Sequence, residues 1–389
     1  MKQDRQDIRK KRIVFVNQAT GFITIDIVNE FAREFDEVAV VFGDIRVQDV
    51  ALDARVKYSK VIEKSRVSNL RRFNRWFIAS VQIFWLLLTK YSKFEIFYFS
   101  VPPFAYLSSL ILRRRFSILM WDVYPDALAM AGVSNKNPVY RIWAGANNIL
   151  FRRAYRIYTI GDVLKDQMSK YVAHDKIHVI PLWSGLSGCG IVEKAENPFI
   201  CEHKLADKFI IQYSGNIGAG HNIETLLEAA RITLSYNEIV YLIVGRGTKV
   251  EMVKKMISQY GLTNCLVLPF QPDNMIKYSL AAADLGVILV EDNIAQISIP
   301  SKIYNLMTVG CPILSITPEN SEINNMIKRY GNGRNFEKDD VAGLAKFIIE
   351  MKTSPEMLQI YRERSLAASL EFTSANAHRF LEIYNSPKK

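Results

Sequence analysis

An apolar run, Phe209–Tyr213, passes straight into a glycine-rich turn, Ser214–Gly220, and a helical pattern opens behind it at Ile223–Ala230. Strand, tight turn and helix in that order make half of a βαβ unit. They commit this part of the chain to a parallel sheet flanked by helices. The turn also aims backbone N–H groups and the positive end of a helix at one point, which suits a phosphate. The pattern returns at Tyr241–Gly247, YLIVGRG, and the stretch Ser298–Pro312, SIPSKIYNLMTVGCP, follows. Together these predict a nucleotide-diphosphate ligand held at the edge of a parallel sheet.

The first half alternates in the same way. Strands are expected at Arg12–Asn17, Glu37–Phe42, Ile96–Ser100, Ser117–Trp121, Arg156–Ile160 and Ile177–Ile180. Helical patterns lie between them, among them Ile23–Glu34, Leu70–Lys90, Phe104–Arg115 and Tyr140–Ala154. The second half adds strands at Ile239–Val244, Cys265–Pro269, Leu285–Leu289 and Pro312–Ile316. The expected fold class is α/β, two doubly wound Rossmann-like domains facing across a cleft, with ligands beyond the carboxyl ends of the strands. The boundaries read as 1–185 for a first Rossmann-like domain, 186–207 for a linker, 208–370 for a second Rossmann-like domain carrying the diphosphate turn and 371–389 for a tail helix packing back on the first domain.

A chain of 389 residues accommodates two such domains, and 49% hydrophobic against 23% charged residues describes a globular protein. The net charge of +11 is unevenly placed. Residues 1–190 carry 29 Lys and Arg against 17 Asp and Glu, a balance of +12, and the remainder carries 21 against 22. A basic first half points to an anionic partner such as lipid, a lipid diphosphate or nucleic acid. No nucleic-acid-binding module is visible, which sets the last aside. Four scattered cysteines without a CxxC pair indicate reduced thiols. The charged first twelve residues lack the apolar core of a signal peptide. Trp76–Leu88 is too short to span a bilayer, and Ile96–Leu112 is broken by Pro102 and Pro103. The expectation is a soluble or peripheral protein. For Leu70–Leu88, with Arg71, Arg72 and Arg75 beside Trp76, Phe77, Phe84 and Trp85, two readings stand: a membrane-interface helix or a core helix.

The candidate diphosphate ligands are Gly215, Asn216 and Gly218 in the turn, Arg246 and Lys249 after the next strand, and Ser301 and Lys302 at the start of the Ile303–Val309 helix. Glycines admit a close backbone approach, Asn222 is a good N-cap, and Arg246 can fork onto phosphate oxygens. Glu291, Asp292 and Asn293 follow a strand, either as sugar-hydroxyl ligands or as a solvated loop. In the first half, Asp122 and Asp126 of WDVYPD are candidate carboxylates, to act as a base or to orient an acceptor hydroxyl, and Asp126 also as a helix cap. Gly21 in NQATGFIT allows close approach of an acceptor or a phosphate. The five histidines include one HxxxH spacing, His174–His178, but no HExxH, and no Asp-x-Asp occurs, so no metal site is expected. No cofactor is expected either.

As a set, YSGNIG (Tyr213–Gly218), VGRG (Val244–Gly247), the run Leu268–Ile288 and PSKIYNLMTVGCPIL (Pro300–Leu314) resemble the GT-B glycosyltransferases of family 4. WDVYPDALAMAG (Trp121–Gly132) and PLWS (Pro181–Ser184) resemble a bacterial subgroup that builds O-antigen and capsule polysaccharides. The resemblance implies retaining, metal-independent transfer of a hexosyl or N-acetylhexosaminyl group from a nucleoside-diphosphate sugar, with UDP favoured. The acceptor it implies is a lipid-linked saccharide on the inner face of the cytoplasmic membrane. It places Phe270 and Asn305 at the nucleoside. The family usually carries two glutamates separated by seven residues, and these positions read Ile297 and Asn305 here. Two alternatives remain: a nucleotide-sugar epimerase of the same fold, and a non-catalytic membrane-associated partner subunit.

Overall fold

The computed structural model describes residues 10–45, 50–65, 69–129, 132–186, 191–218, 220–295 and 299–387. The chain divides into two compact units, Met1–Pro181 with Ser374–Lys389, and Leu182–Thr373. Each contains one sheet, and every strand pair described is parallel.

In unit 1 the strands are β1 (Arg12–Thr20), β2 (Glu37–Ile45), β3 (Lys57–Lys60), β4 (Glu95–Phe99), β5 (Phe116–Met120), β6 (Ile157–Thr159) and β7 (Ile177–Val179), in the order 3-2-1-4-5-6-7. Unit 2 continues with β8 (Phe209–Asn216), β9 (Ile239–Arg246), β10 (Cys265–Leu268), β11 (Leu285–Leu289), β12 (Ile313–Ile316) and β13 (Gly333–Phe336), in the order 10-9-8-11-12-13. The order reverses beside β1 in one sheet and beside β8 in the other. Such switch points open a crevice at the strands' carboxyl ends.

The central strands are apolar because both faces of a parallel sheet are covered. Along β8, Ile211 and Tyr213 enter the cluster with Leu226, Leu227, Leu344 and Ile348, while Ile210 points the other way, toward Phe199, Leu242 and Ala282. That alternation follows from the two-residue period of a strand. Phe199 and Ile200 belong to the helix Pro198–His203, capped by the Asn197 side chain. The stretch 186–207, read from sequence as a linker, thus supplies part of unit 2's core.

Two further elements differ from the sequence reading. Strands β3 (KYSK) and β13 (GRNF) carry no apolar run and were not expected. The helix predicted over Phe104–Arg115 is a short 3-10 helix, Ala105–Leu110. Ser108 and Ser109 hydrogen-bond the Tyr98 hydroxyl at 2.8 and 3.1 Å. Arg114 turns back onto the carbonyls of Leu87, Tyr91 and Phe94, and so closes the C-terminal end of the helix Asn69–Leu88.

The tail helix Asn376–Asn385 belongs to unit 1. It buries Phe380, Leu381 and Tyr384. Phe380 lies 5.0 Å from the Tyr158 ring, and Tyr384 lies 5.3 Å from Phe31. Tyr155 and Tyr158 donate to the carbonyls of Tyr384 and Phe380 at 2.9 and 3.0 Å. Phe380→Ala leaves a cavity where the tail meets the sheet, and its expected cost is about 3–5 kcal/mol. Denaturant unfolding monitored by aromatic fluorescence measures it, and a cost below about 1 kcal/mol would mean the tail is not part of the core.

Candidate functional site

At the carboxyl end of β8 the backbone turns through Gly215, at φ +145°, next to Gly245 at φ +152° on β9. A Cβ on Gly245 would stand 1.9 Å from the Gly215 carbonyl oxygen, and one on Gly247 would stand 2.2 Å from that of Ile217. These two glycines let the strand ends close on each other. Gly215 has a different reason: its Cβ would meet the Lys302 ammonium at 3.1 Å. Gly218 accommodates the Asn216 side chain, whose amide nitrogen is 2.7 Å from the Cβ position.

A cavity of about 310 Å³ opens at this switch point, lined by Ser214, Gly215, Asn216, His221, Phe270, Ser301, Lys302 and Asn305 among others. Its volume is at the lower end of small-ligand sites. The Lys302 Nζ is buried without a hydrogen-bond partner and sits 4.0 Å from the centroid of the Tyr213 ring. Burial pulls its pKa down to about 7, because an ammonium taken out of water loses its hydration. The Nδ1 of His221 is likewise buried and unpartnered. Burial first, then the nearby Lys302, and to a lesser degree Lys249, hold that ring down at about 4, against an opposing Gly218 carbonyl. His221 is therefore neutral at pH 7. Two buried polar groups with no protein partner in one cavity are costly, and a ligand that accepts hydrogen bonds from the lysine relieves part of that cost.

The walls are fixed by the protein's own contacts. Tyr213 donates its hydroxyl to the Asn216 carbonyl at 2.5 Å, and burial raises its pKa. Ser184, from the PLWS stretch, donates to Asn305 Oδ1 at 2.9 Å. Phe270, 46% exposed, carries the Arg246 guanidinium 5.1 Å from its ring centroid. Asn222 caps the helix Ile223–Ile232 through the Thr225 N–H.

Several sequence expectations need correcting. The helix after Ser301 has only seven residues, Lys302–Thr308, and Ser301 makes no side-chain cap bond. So short a helix has little dipole to offer an anion, and the buried Lys302 ammonium is the stronger attraction. Lys249 is held by Glu224 at 2.8 Å and by the His221 carbonyl at 3.1 Å, away from the cavity. Arg246 stands on Phe270 and is not among the lining residues. Asp292 pairs with Lys338 at 3.1 Å. With Glu291 it lines a separate recess of about 10 Å³, too small for a sugar. The Asn293 side chain and Ile297 lie outside the described residues.

In unit 1, Asp126 accepts from Tyr140 at 2.6 Å and Tyr171 at 2.8 Å and pairs with Lys170. Those contacts occupy both carboxylate oxygens. It is the first residue of its short helix, not the cap, so its role is to join three elements. Asp122 is half-buried two residues past the end of β5, and its N–H donates to Ser100 Oγ at 3.3 Å. Burial raises its carboxyl pKa, partly offset by Lys64 and Arg72. Gly21 precedes the helix Phe22–Phe31 and has open space around it. Among the described residues no group of three His, Cys, Asp or Glu is placed to hold a metal.

His221, Tyr213 and Ser184 were not expected at the site. The signal for His221 was its place directly after the glycine turn. Nothing local marks Ser184, which reaches the cavity only through Asn305.

Residues 197–366, which carry the whole cavity, match the family described as glycosyl transferases group 1. Unit 2 is a group 1 glycosyltransferase domain. Along the wider chain, the probable glycosyltransferase WbjE of Pseudomonas aeruginosa is 24% identical over 343 residues, 86% of each chain. The putative colanic acid biosynthesis glycosyl transferase WcaI of Escherichia coli (strain K12) is 27% identical over 195 residues, 49% of this chain and 48% of that one. Among solved structures, Anabaena Alr3699/HepE in complex with UDP superposes with a TM-score of 0.72 at 14% identity, over 96% of this chain and 98% of that one. The chain therefore has the GT-B fold, built from its two parallel-sheet units.

Proposed function

We propose that this glycosyltransferase moves a hexose or N-acetylhexosamine from a UDP-sugar to a lipid-linked saccharide, with retention and without a catalytic metal, in the assembly of a surface polysaccharide. The observation that carries the reading is the unpartnered Lys302 ammonium buried in the group 1 cavity. A diphosphate leaving group gives that cation the counter-charge the protein withholds. Charge developing on the departing phosphate is then stabilised by a fixed cation, which requires no reorganisation at the moment of transfer. Phe270 and Asn305 both line the cavity, and in this reading Phe270 gives the base an aromatic face and Asn305 hydrogen-bonds a ribose hydroxyl. UDP is favoured because the Anabaena structure is a UDP complex. The polysaccharide setting follows the colanic acid name of the Escherichia coli relative. Asp122, with its raised pKa, is the candidate to receive the acceptor's proton.

The test is UDP release from a panel of UDP-hexoses and UDP-N-acetylhexosamines, in EDTA, with and without an extract of bacterial lipid-linked saccharides. Acceptor-dependent release, with an α-linked product from an α-donor by NMR, is the expected result. Acceptor-independent conversion of the sugar would replace transfer with epimerisation. No turnover of any donor would leave the partner-subunit reading.

A further inference from the structure

The donor cavity leaves unexplained an apolar surface on the helix Asn69–Leu88 of unit 1. Its inner side is ordinary: Trp76, Ala79, Ile83 and Leu87 are buried. Its outer side is not. Leu70, Phe77, Ile78, Val81, Trp85 and Leu88 are all exposed, Phe77 by 59% and Trp85 by 58%. At the helical repeat these six fall within about 100° of arc, diametrically opposite the buried four. Leu110 and Ile111 add exposed apolar surface at the end of the 3-10 helix that packs beside it. A contiguous patch of this kind on a folded surface marks a partner.

We propose that this outer face lies in the interface of an anionic membrane. Charge identifies the partner. Between Glu63 and Glu95 the chain carries seven Lys and Arg and no Asp or Glu. Arg71 and Arg75 are exposed on the helix itself, and Lys90 and Lys93 follow its end. An apolar protein partner needs no such unbroken positive margin, whereas a bilayer offers acyl chains below and lipid phosphates around them. Trp85 supplies an amphipathic ring suited to the headgroup boundary. The helix, at 20 residues, does not cross: no helix among the described residues is long and apolar enough to do so. It lies flat, with Arg71 and Arg75 at phosphate level and Phe77, Val81 and Trp85 below. The inference stands apart from the donor reading, since none of these residues lines the cavity.

Flotation of the full-length protein tests it, with vesicles of phosphatidylcholine alone and with about 30% phosphatidylglycerol added. The wild type is expected to float with the anionic vesicles at low salt and to be released as salt rises. Phe77→Glu/Trp85→Glu is expected to lower the floated fraction about ten-fold or more while keeping the wild-type circular dichroism, because both side chains are already exposed. Equal flotation on phosphatidylcholine alone would overturn the anionic assignment. Failure of the wild type to float would overturn the proposal, and a dimer in sedimentation that the double variant dissolves would identify a second copy of the chain as the occupant instead.

Discussion

Lys302→Met is expected to weaken UDP binding about 50-fold while leaving the ligand-free protein more stable at neutral pH. The two effects share one cause. The ammonium is buried beside Tyr213 with no hydrogen-bond partner from the protein. An unbranched methionine keeps the packing and removes the charge. The sign follows from linkage. The folded-state pKa is about 7 against an ordinary 10.5, so between those values the unfolded chain binds more protons than the folded one. Stability therefore rises with pH across that window and is flat below it. The full penalty is present below pH 7, and relieving it is worth on the order of 2–4 kcal/mol in the variant. A diphosphate restores the charge. Wild-type affinity is thus highest near neutral pH and falls as pH climbs above 7, by up to about ten-fold per unit. In Lys302→Met that decline disappears. Calorimetric titration at pH 7 and 9 separates the two proteins, and parallel pH profiles would remove Lys302 from the diphosphate site.

Gly245→Ala is expected to damage unit 2 severely. Its φ of +152° is unfavourable for an L-residue, and the added methyl meets the Gly215 carbonyl at 1.9 Å, a backbone atom that cannot swing aside. Only parting the ends of β8 and β9 relieves the clash. That moves Gly215, which lines the cavity, and with it the support of Lys302. The expected cost is about 3 kcal/mol or more, equivalent to a fall of roughly 10 °C in the melting transition. UDP protection is lost with it. Differential scanning calorimetry reads both, and an unchanged transition that UDP still raises would mean the strand ends have more freedom than their contact distance allows.

The features of the site that were legible in the sequence are the local ones. A glycine turn between an apolar strand and a capped helix is written in a dozen consecutive residues, so Gly215, Asn216 and the Asn222 cap could be placed directly. Lys302 could be picked as a phosphate ligand from PSK, but its burial beside Tyr213 depends on the distant Gly215 having no side chain. Lys249 and Asp126 look equally available in sequence. Only folding brings Glu224 to the first, and Tyr140, Tyr171 and Lys170 to the second. The two missed strands have the same origin. KYSK is a mostly exposed sheet edge, and GRNF takes its strand conformation from pairing with β12 rather than from its own propensity. The long helix posed the reverse problem: its residues fit both a core helix and an interfacial one, and the structure shows an apolar arc on each side.

Calorimetric titration of UDP into the full-length protein in EDTA, repeated with Lys302→Met, decides whether the cavity of unit 2 holds a diphosphate. One saturable site in the wild type, weakened about 50-fold in the variant, is the predicted result. Equal binding by both proteins, or no binding by the wild type, would contradict a diphosphate held by Lys302 in the cavity of unit 2.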